Sequence, residues 1–533
     1  MELEELKTVI KTLPADERRK IALYILELEK DHFRDTVGPQ IGSDLEGVSK
    51  ILQDAFEKLR KYVKMFIVAL CCLLVADSSG GAGVPSTPVK ELSPEQRQWI
   101  SRADRHEREG WIYLRIKGAP REMGFQHGYL LAKEIAASMA DARKTWEYQS
   151  GMSWPWLISH AERMFLRRID PGLLAELDGI VEGLQAAGVH STRGEMITYN
   201  GIIELDGYWW PGVKDSLGAR SPNRSKQSCS SFIATGSWTK DGGIVLGHNT
   251  MTSYAPADCN IIVDIVPLTG HRILWQGSPG WIHSGTDFFI TDAGLVGSET
   301  TISGFSGFDE GAIPEFVRMR RAAQDASTID QWCDIMKQGN NGGYANAWLI
   351  GDVNTGEIAR LELGLKHVAL ERLKDGFFIG SNVAENVQIL RLETNTRETD
   401  IRVSDVARRV RWKQLMKEHR GGIDLELAKV FEGDHVDTYL RRDLPGSRSL
   451  CAHWDNDSTD PAEPPFNPYG TVDAKAVDTR LAKRMAFVAR WGSGCGTPFD
   501  ADRFLEQRPQ FDWMSGTLRS RKSFPWTEFR AGE

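Results

Sequence analysis

The chain has 533 residues, 41% hydrophobic and 26% charged, the balance of a folded globular protein rather than a disordered one. That length suits about two to four domains, or one large domain with additions, and excludes collagen-like and coiled-coil chains. A net charge of −8 is the wrong sign for a surface built to neutralise nucleic-acid phosphates, and the longest unbroken apolar run, Met65–Ala76, is too short for the roughly twenty residues that span a bilayer.

Residues 1–64 read as two or three amphipathic helices, with apolar stripes at Leu3, Leu6, Val9 and Ile10, then at Ile21, Ile25 and Leu28, then at Ile51, Phe56, Leu59 and Val63. This extension is either a fused helical module or an over-extended gene reading. Residues 65–90 follow a basic flank, Lys58–Lys64, with the apolar run and a small-residue exit, Asp77–Ser86. Those are the three parts of a secretory signal peptide, displaced from the N-terminus unless the chain starts at Met65. Its use implies export to the outside, a periplasm or a lysosome-like lumen. Without it the protein is cytoplasmic, and the run is a buried helix or a short anchor.

Residues 91–228 are expected to be α-rich and to end in a polar loop. One long helix starts at Arg121, and another opens at Pro171, where a first-turn proline loses no hydrogen bond. Ser216–Ser228 is a polar loop. At Cys229 the pattern changes to strands and opens a second portion, 229–530. Cys229–Trp238 and Ile244–Thr250 flank the hairpin turn Lys240–Gly243. Further strands are expected at Ile261–Val266, His271–Gln276, Phe288–Thr291, Leu295–Thr301, Ala347–Gly351 and Glu357–Leu363. Helices are expected at Pro314–Asp325, Ile329–Lys337, Val403–His419 and Asp478–Val488. No repeat is present, and the hairpins point to an α+β fold rather than to βαβ units.

The chain contains no GxxxxGK[ST], HExxH or GxSxG. Its seven cysteines include no CxxC, and its twelve histidines show no metal-ligand spacing, so no metal site is expected. A disulfide between Cys451 and Cys495 is the one pairing to weigh, and it is not the favoured reading. His32, His106 and His160 are taken as structural. Cys229 is the informative residue. Cleavage between Ser228 and Cys229 would leave one residue holding both a thiol and an α-amine, and both groups exchange protons near neutral pH. The alternative is a small buried thiol, the commonest state of an unpaired cysteine.

Several segments along the chain carry a resemblance. They are Cys229-Ser-Ser-Phe, Gly247-His-Asn-Thr250, Ser278-Pro-Gly280 with Asp287-Phe-Phe289, Gly294–Thr301, Tyr344–Trp348, Gly470–Lys475 and Phe511-Asp-Trp513, joined by Gly124–Gly128 and Leu177–Gly183. In this order, from about Leu92 to Glu528, the chain resembles the phospholipase B-like family. More distantly it is similar to the penicillin acyltransferase and bile-salt-hydrolase branch of N-terminal-nucleophile hydrolases. The resemblance implies a four-layer αββα sandwich, self-cleavage before Cys229, and hydrolysis of acyl esters or amides. Cys229 would be the nucleophile, with His248 and Asn249 beside it and Thr300 or Thr301 and Asn346 holding the acyl carbonyl. The register alone does not decide which side chain faces the thiol. The implied substrate is a lipid or an N-acyl small molecule, and the two fragments stay associated. Neither a metal nor an organic cofactor, nucleic acid or an integral membrane span is implied. The bile-salt branch has an Asp shortly after its Asn, where this chain has Thr250 or Met251, which favours the phospholipase B-like branch. A silent lipid-binding relative and an amide-directed acyltransferase are the rival readings.

Overall fold

The computed structural model describes residues 91–218, 229–255, 260–285 and 288–533. The helical extension, the Met65–Ala76 run, Ser228 and Asp287 lie outside these residues. In chain order the strands are β1 (Asp104–Arg108), β2 (Trp111–Gly118), β3 (Ser230–Thr235), β4 (Val245–Ser253), β5 (Ile261–Pro267) and β6 (Ile273–Gly277). They continue with β7 (Phe288–Thr291), β8 (Leu295–Thr301), β9 (Asn346–Asp352), β10 (Glu357–Leu363), β11 (Val368–Leu373) and β12 (Gly376–Gly380). The last are β13 (Val436–Asp437), β14 (Arg442–Asp443), β15 (Tyr469–Asp478), β16 (Ala486–Trp491) and β17 (Thr527–Arg530). One sheet runs β1-β2-β5-β6-β7-β8-β9-β10-β11, a second runs β12-β3-β4-β15-β16-β17, and β13 and β14 form a small separate hairpin.

Alternation along the strands stacks the layers. On β3, Phe232 packs against Trp412 and Phe431, at ring-centroid distances of 5.1 and 5.7 Å, in the helices Ser404–Glu418 and Leu425–Glu432. Its neighbour Ile233 points the other way, to Gly351 on β9. On β9, Trp348 meets Trp332 of the helix Ile329–Lys337 at 5.0 Å, while Leu349 enters the core between the sheets. The order is therefore helices, nine-stranded sheet, six-stranded sheet, helices, the αββα arrangement the resemblance implies.

Two glycine pairs set the closest helix contact. The helices Pro120–Leu130 and Pro171–Ala186 face each other through Gly124, Gly128, Gly179 and Gly183. A Cβ on Gly124 would lie 1.9 Å from the Glu176 carbonyl oxygen, and one on Gly183 would lie 2.4 Å from that of Phe125. The backbones touch, which no larger residue permits. From the same helix, His127 Nε2 accepts the Gly280 N–H at 2.9 Å. Burial pushes that imidazole down to about 3, so it is a neutral acceptor.

Three expectations are corrected. The segment after Leu92 is not mainly helical at its start. It holds the hairpin β1–β2, and β2 pairs in parallel with β5 from Ile112↔Ile261 to Gly118↔Pro267. Buried on both faces, Trp-Ile-Tyr-Leu-Arg-Ile lacks the alternation that marks a strand. The long helix from Arg121 is two helices, because Leu131 at φ −114° ends the first before Ala132–Ser150 begins. Asp478–Val488 is not a helix either. Only Thr479–Ala482 is helical, Met485 adopts φ +51°, and β16 follows.

Candidate active site

Cys229 immediately precedes β3, which lies between β12 and β4. The ladders pair Ser230↔Asn249 and Ser231↔His248 on one side and Ser231↔Gly380 on the other. Extended back to Cys229, the two registers bring Thr250 to one flank and Asn382 to the other. Cys229 is 2% exposed and sits at φ +71°, the left-handed region. For a residue with a Cβ that conformation stores strain, of order 1–3 kcal/mol.

A buried arginine anchors this residue. Arg408, on the helix Ser404–Glu418, donates Nη1 to the Cys229 carbonyl at 3.0 Å, Nη2 to Asn382 Oδ1 at 2.6 Å and Nε to Ser404 Oγ at 3.0 Å. Asn382 in turn donates Nδ2 to the Thr301 carbonyl at 2.8 Å. Burial lowers the Arg408 pKa, while Asp405 and the Cys229 thiol oppose that shift. Burial likewise pushes the neighbouring Asp405 carboxyl up to about 7, against the pull of Arg408.

His248 faces the nine-stranded sheet, with Nε2 3.1 Å from the Glu299 carbonyl oxygen. Burial, reinforced by Lys475, holds it well below its ordinary pKa, so the ring is neutral. The carbonyl requires a proton on Nε2, which leaves Nδ1 an acceptor. Lys475 lies across the β4–β15 ladder from His248, and its Nζ donates to Thr250 Oγ1, Gln276 Oε1 and Asp473 Oδ1, each at 2.5 Å. Ser231 Oγ meets Ser298 Oγ of β8 at 2.6 Å. A seam of buried polar groups thus runs between the two sheets beside Cys229.

The other residues singled out by sequence fall elsewhere. Asn249 points to the opposite face of its sheet, where Nδ2 donates to the Glu432 and Leu450 carbonyls at 2.9 and 3.0 Å. Thr300 Oγ1 faces Gly380, so closely that a Cβ there would come within 2.5 Å. Thr301 and Asn346 are cross-strand partners. Alternation with Trp348 and Ile350 sets them on the helix-facing side of the nine-stranded sheet. Thr301 Oγ1 and both amide atoms of Asn346 are buried without a hydrogen-bond partner among the described residues. Of the sequence candidates, His248 and Thr300 share the inter-sheet seam beside Cys229, whereas Asn249, Thr301 and Asn346 do not. Sequence reasoning missed Arg408, Asn382 and the role of Lys475. Only Lys475 had a signal, inside Gly470–Lys475.

Fold and site define a class: an αββα sandwich with a buried cysteine at the head of a strand in the smaller sheet. A sequence profile described as Phospholipase B matches residues 173–372, which contain Cys229, His248, Thr300, Thr301 and Asn346. Phospholipase B-like 2 of Rattus norvegicus is 30% identical over 155 residues, 25% of each chain. Phospholipase B-like protein C of Dictyostelium discoideum is 27% identical over 211 residues, 34% of this chain and 36% of that one. These matches span only about a quarter to a third of the relatives' length. They bear out the resemblance to phospholipase B-like proteins. Among solved structures, a mutant of conjugated bile acid hydrolase from Clostridium perfringens aligns at 11% identity and TM-score 0.28, covering 49% of this chain and 88% of that one. Penicillin V acylase from Agrobacterium tumefaciens aligns at 12% identity and TM-score 0.29, covering 49% and 83%. Among the described residues, no helix is long and apolar enough to cross a membrane.

Proposed function

We propose that the protein is a hydrolase whose nucleophile is Cys229, exposed as an N-terminus by self-cleavage after Ser228, and that it acts on acyl esters or amides of lipids. The observation that carries this reading is the place of Cys229. It is a buried, strained residue at the head of β3, its carbonyl held by Arg408, directly after a polar segment. In the precursor, the thiol attacks the Ser228 carbonyl and the peptide nitrogen leaves as an amine, giving a thioester. Water then hydrolyses that thioester and leaves Ser228 as a carboxylate.

In the mature protein the Cys229 amine takes the thiol proton, and the sulfur adds to the substrate carbonyl. The amine returns that proton to the departing alcohol or amine, and water resolves the thioester. Base and nucleophile belong to one residue, so little entropy is lost in bringing them together. The positive Arg408 beside the thiol favours the thiolate. Thr300 and the Asn382 amide, both beside Cys229, are the candidate donors for the acyl oxyanion, and one such donor typically contributes about 3 kcal/mol. The two fragments would remain associated because β2, from before the cut, pairs with β5, from after it.

N-terminal sequencing of the larger fragment from active protein, with turnover of a panel of lipid esters and N-acyl amides, tests the reading. Cysteine at the new N-terminus and a folded, uncut, inactive Cys229→Ala variant are expected. Full activity in an intact chain, or in Cys229→Ala, would overturn it. Processed protein that binds lipid without turnover would favour the silent binding relative.

A further inference from the structure

The sequence shows no metal-ligand spacing, yet the fold gathers four soft and borderline ligands at one point. His435 follows the helix Leu425–Glu432, Cys451 and His453 lie in the loop before Trp454, and Cys495 follows β16. One donor atom from each lies within 4.8 Å of the others. Cys451 and Cys495 both carry thiols rather than a shared disulfide. Their sulfurs stand 3.5 Å from the same atom, His453 Nε2. A ring nitrogen has one proton or one lone pair, so it cannot bond both sulfurs equally well. A cation at the centre would satisfy both. Tetrahedral zinc, with Zn–S near 2.3 Å and Zn–N near 2.05 Å, separates sulfur from nitrogen by about 3.5–3.6 Å. The observed edges already have that length. The two imidazoles approach in different planes, at 65° with centroids 5.3 Å apart, as two ligands at different vertices of a tetrahedron can.

The surroundings suit bound thiolates. Cys495 Sγ accepts the Thr497 N–H at 3.4 Å and meets Thr497 Oγ1 at 3.2 Å, and Cys451 Sγ accepts the Cys495 N–H at 3.4 Å. His453 Nδ1 faces Asp455 Oδ1 at 4.0 Å, and that oxygen accepts the Tyr254 hydroxyl at 3.1 Å.

We propose that His435, Cys451, His453 and Cys495 form a closed, structural zinc site. All four positions are filled by protein, so the ion activates no water. It would tie together three separate segments of the chain. Two of them adjoin the Glu432 and Leu450 carbonyls that Asn249 holds, so the clip braces the back of β4.

Metal analysis of the purified full-length protein, in whatever processed form it takes, tests this directly. About one zinc per chain is expected, lost in Cys451→Ser/Cys495→Ser. Should that variant fail to fold, cobalt exchanged into the wild type gives an independent reading: intense ligand-field bands and thiolate-to-metal charge transfer support the site. A strong chelator should lower the wild-type thermal midpoint whether or not the protein is active, which separates this proposal from the one for Cys229. Zinc-free protein after growth in zinc-supplemented medium, or a peptide map joining Cys451 to Cys495 by a disulfide, would overturn it.

Discussion

Asp405 gives a quantitative handle on the neighbourhood of Cys229. It lies one helical turn before Arg408, is 1% exposed, and titrates at about 7 because burial outweighs the attraction of Arg408. Its ordinary value is 3.8. A carboxyl whose folded pKa is raised contributes stability that is fully present below the unfolded pKa and is lost as pH rises through the folded one. The window therefore runs from about pH 4 to about pH 7. At about 1.36 kcal/mol per pH unit, the two units between pH 5 and pH 7 correspond to roughly 2.7 kcal/mol. Asp405→Asn abolishes that titration while keeping the shape of the side chain. Urea midpoints followed by tryptophan fluorescence at pH 5 and pH 8 compare the two proteins in identical buffers. The wild type should lose about 2–3 kcal/mol more than the variant over this interval. Glu204, also pushed up to about 7 by burial, adds a loss of the same sign to both proteins and cancels in the difference. Equal losses would refute the assignment of a protonated Asp405 beside Arg408.

Gly183→Ala should destabilise the protein by about 1–3 kcal/mol, because its Cβ would strike backbone atoms of the facing helix. Gly172→Ala, whose Cβ meets nothing nearer than Pro120 Cγ at 3.8 Å, should be neutral or slightly stabilising in the same thermal melt. His248→Ala opens the polar seam beside Cys229 and leaves the Glu299 carbonyl unpaired, so turnover should fall while the protein still folds, and full turnover would show that the ring does not help to position Cys229. Asn346→Ala deletes a buried amide without partners on the helix-facing side of its sheet, away from Cys229, so it should leave the thermal midpoint and turnover nearly unchanged. A large loss of turnover in folded protein would refute that placement of Asn346 outside the site. A chain beginning at Met65 should be exported and active, which would show residues 1–64 to be dispensable; retention in the cytoplasm would dismiss the signal reading.

What could be read in advance follows the range of the interactions. The hairpin around Lys240–Gly243 and the strands β5 to β10 rest on local patterns, turn residues between apolar runs, and they form where those patterns fall. β2 and β16 do not, because strands buried on both faces read like any apolar stretch. The same division runs through the site. Cys229 and His248 lie on the two arms of one hairpin, so spacing and register place them near each other. Arg408 reaches the Cys229 carbonyl across almost 180 positions of sequence, from a helix that also carries Arg409 and Arg411. Those neighbours point outward to Glu385 and Asp434. Nothing local distinguishes the inward arginine from the outward pair. It becomes distinct only when the six-stranded sheet and its helices enclose it. The His435–Cys495 cluster is the stronger case. Its ligands hang on a helix end, a loop and a strand end, so no motif could have announced it. Two thiols beside one imidazole nitrogen, at the edge length of a tetrahedral ion, reveal it only once the chain has folded.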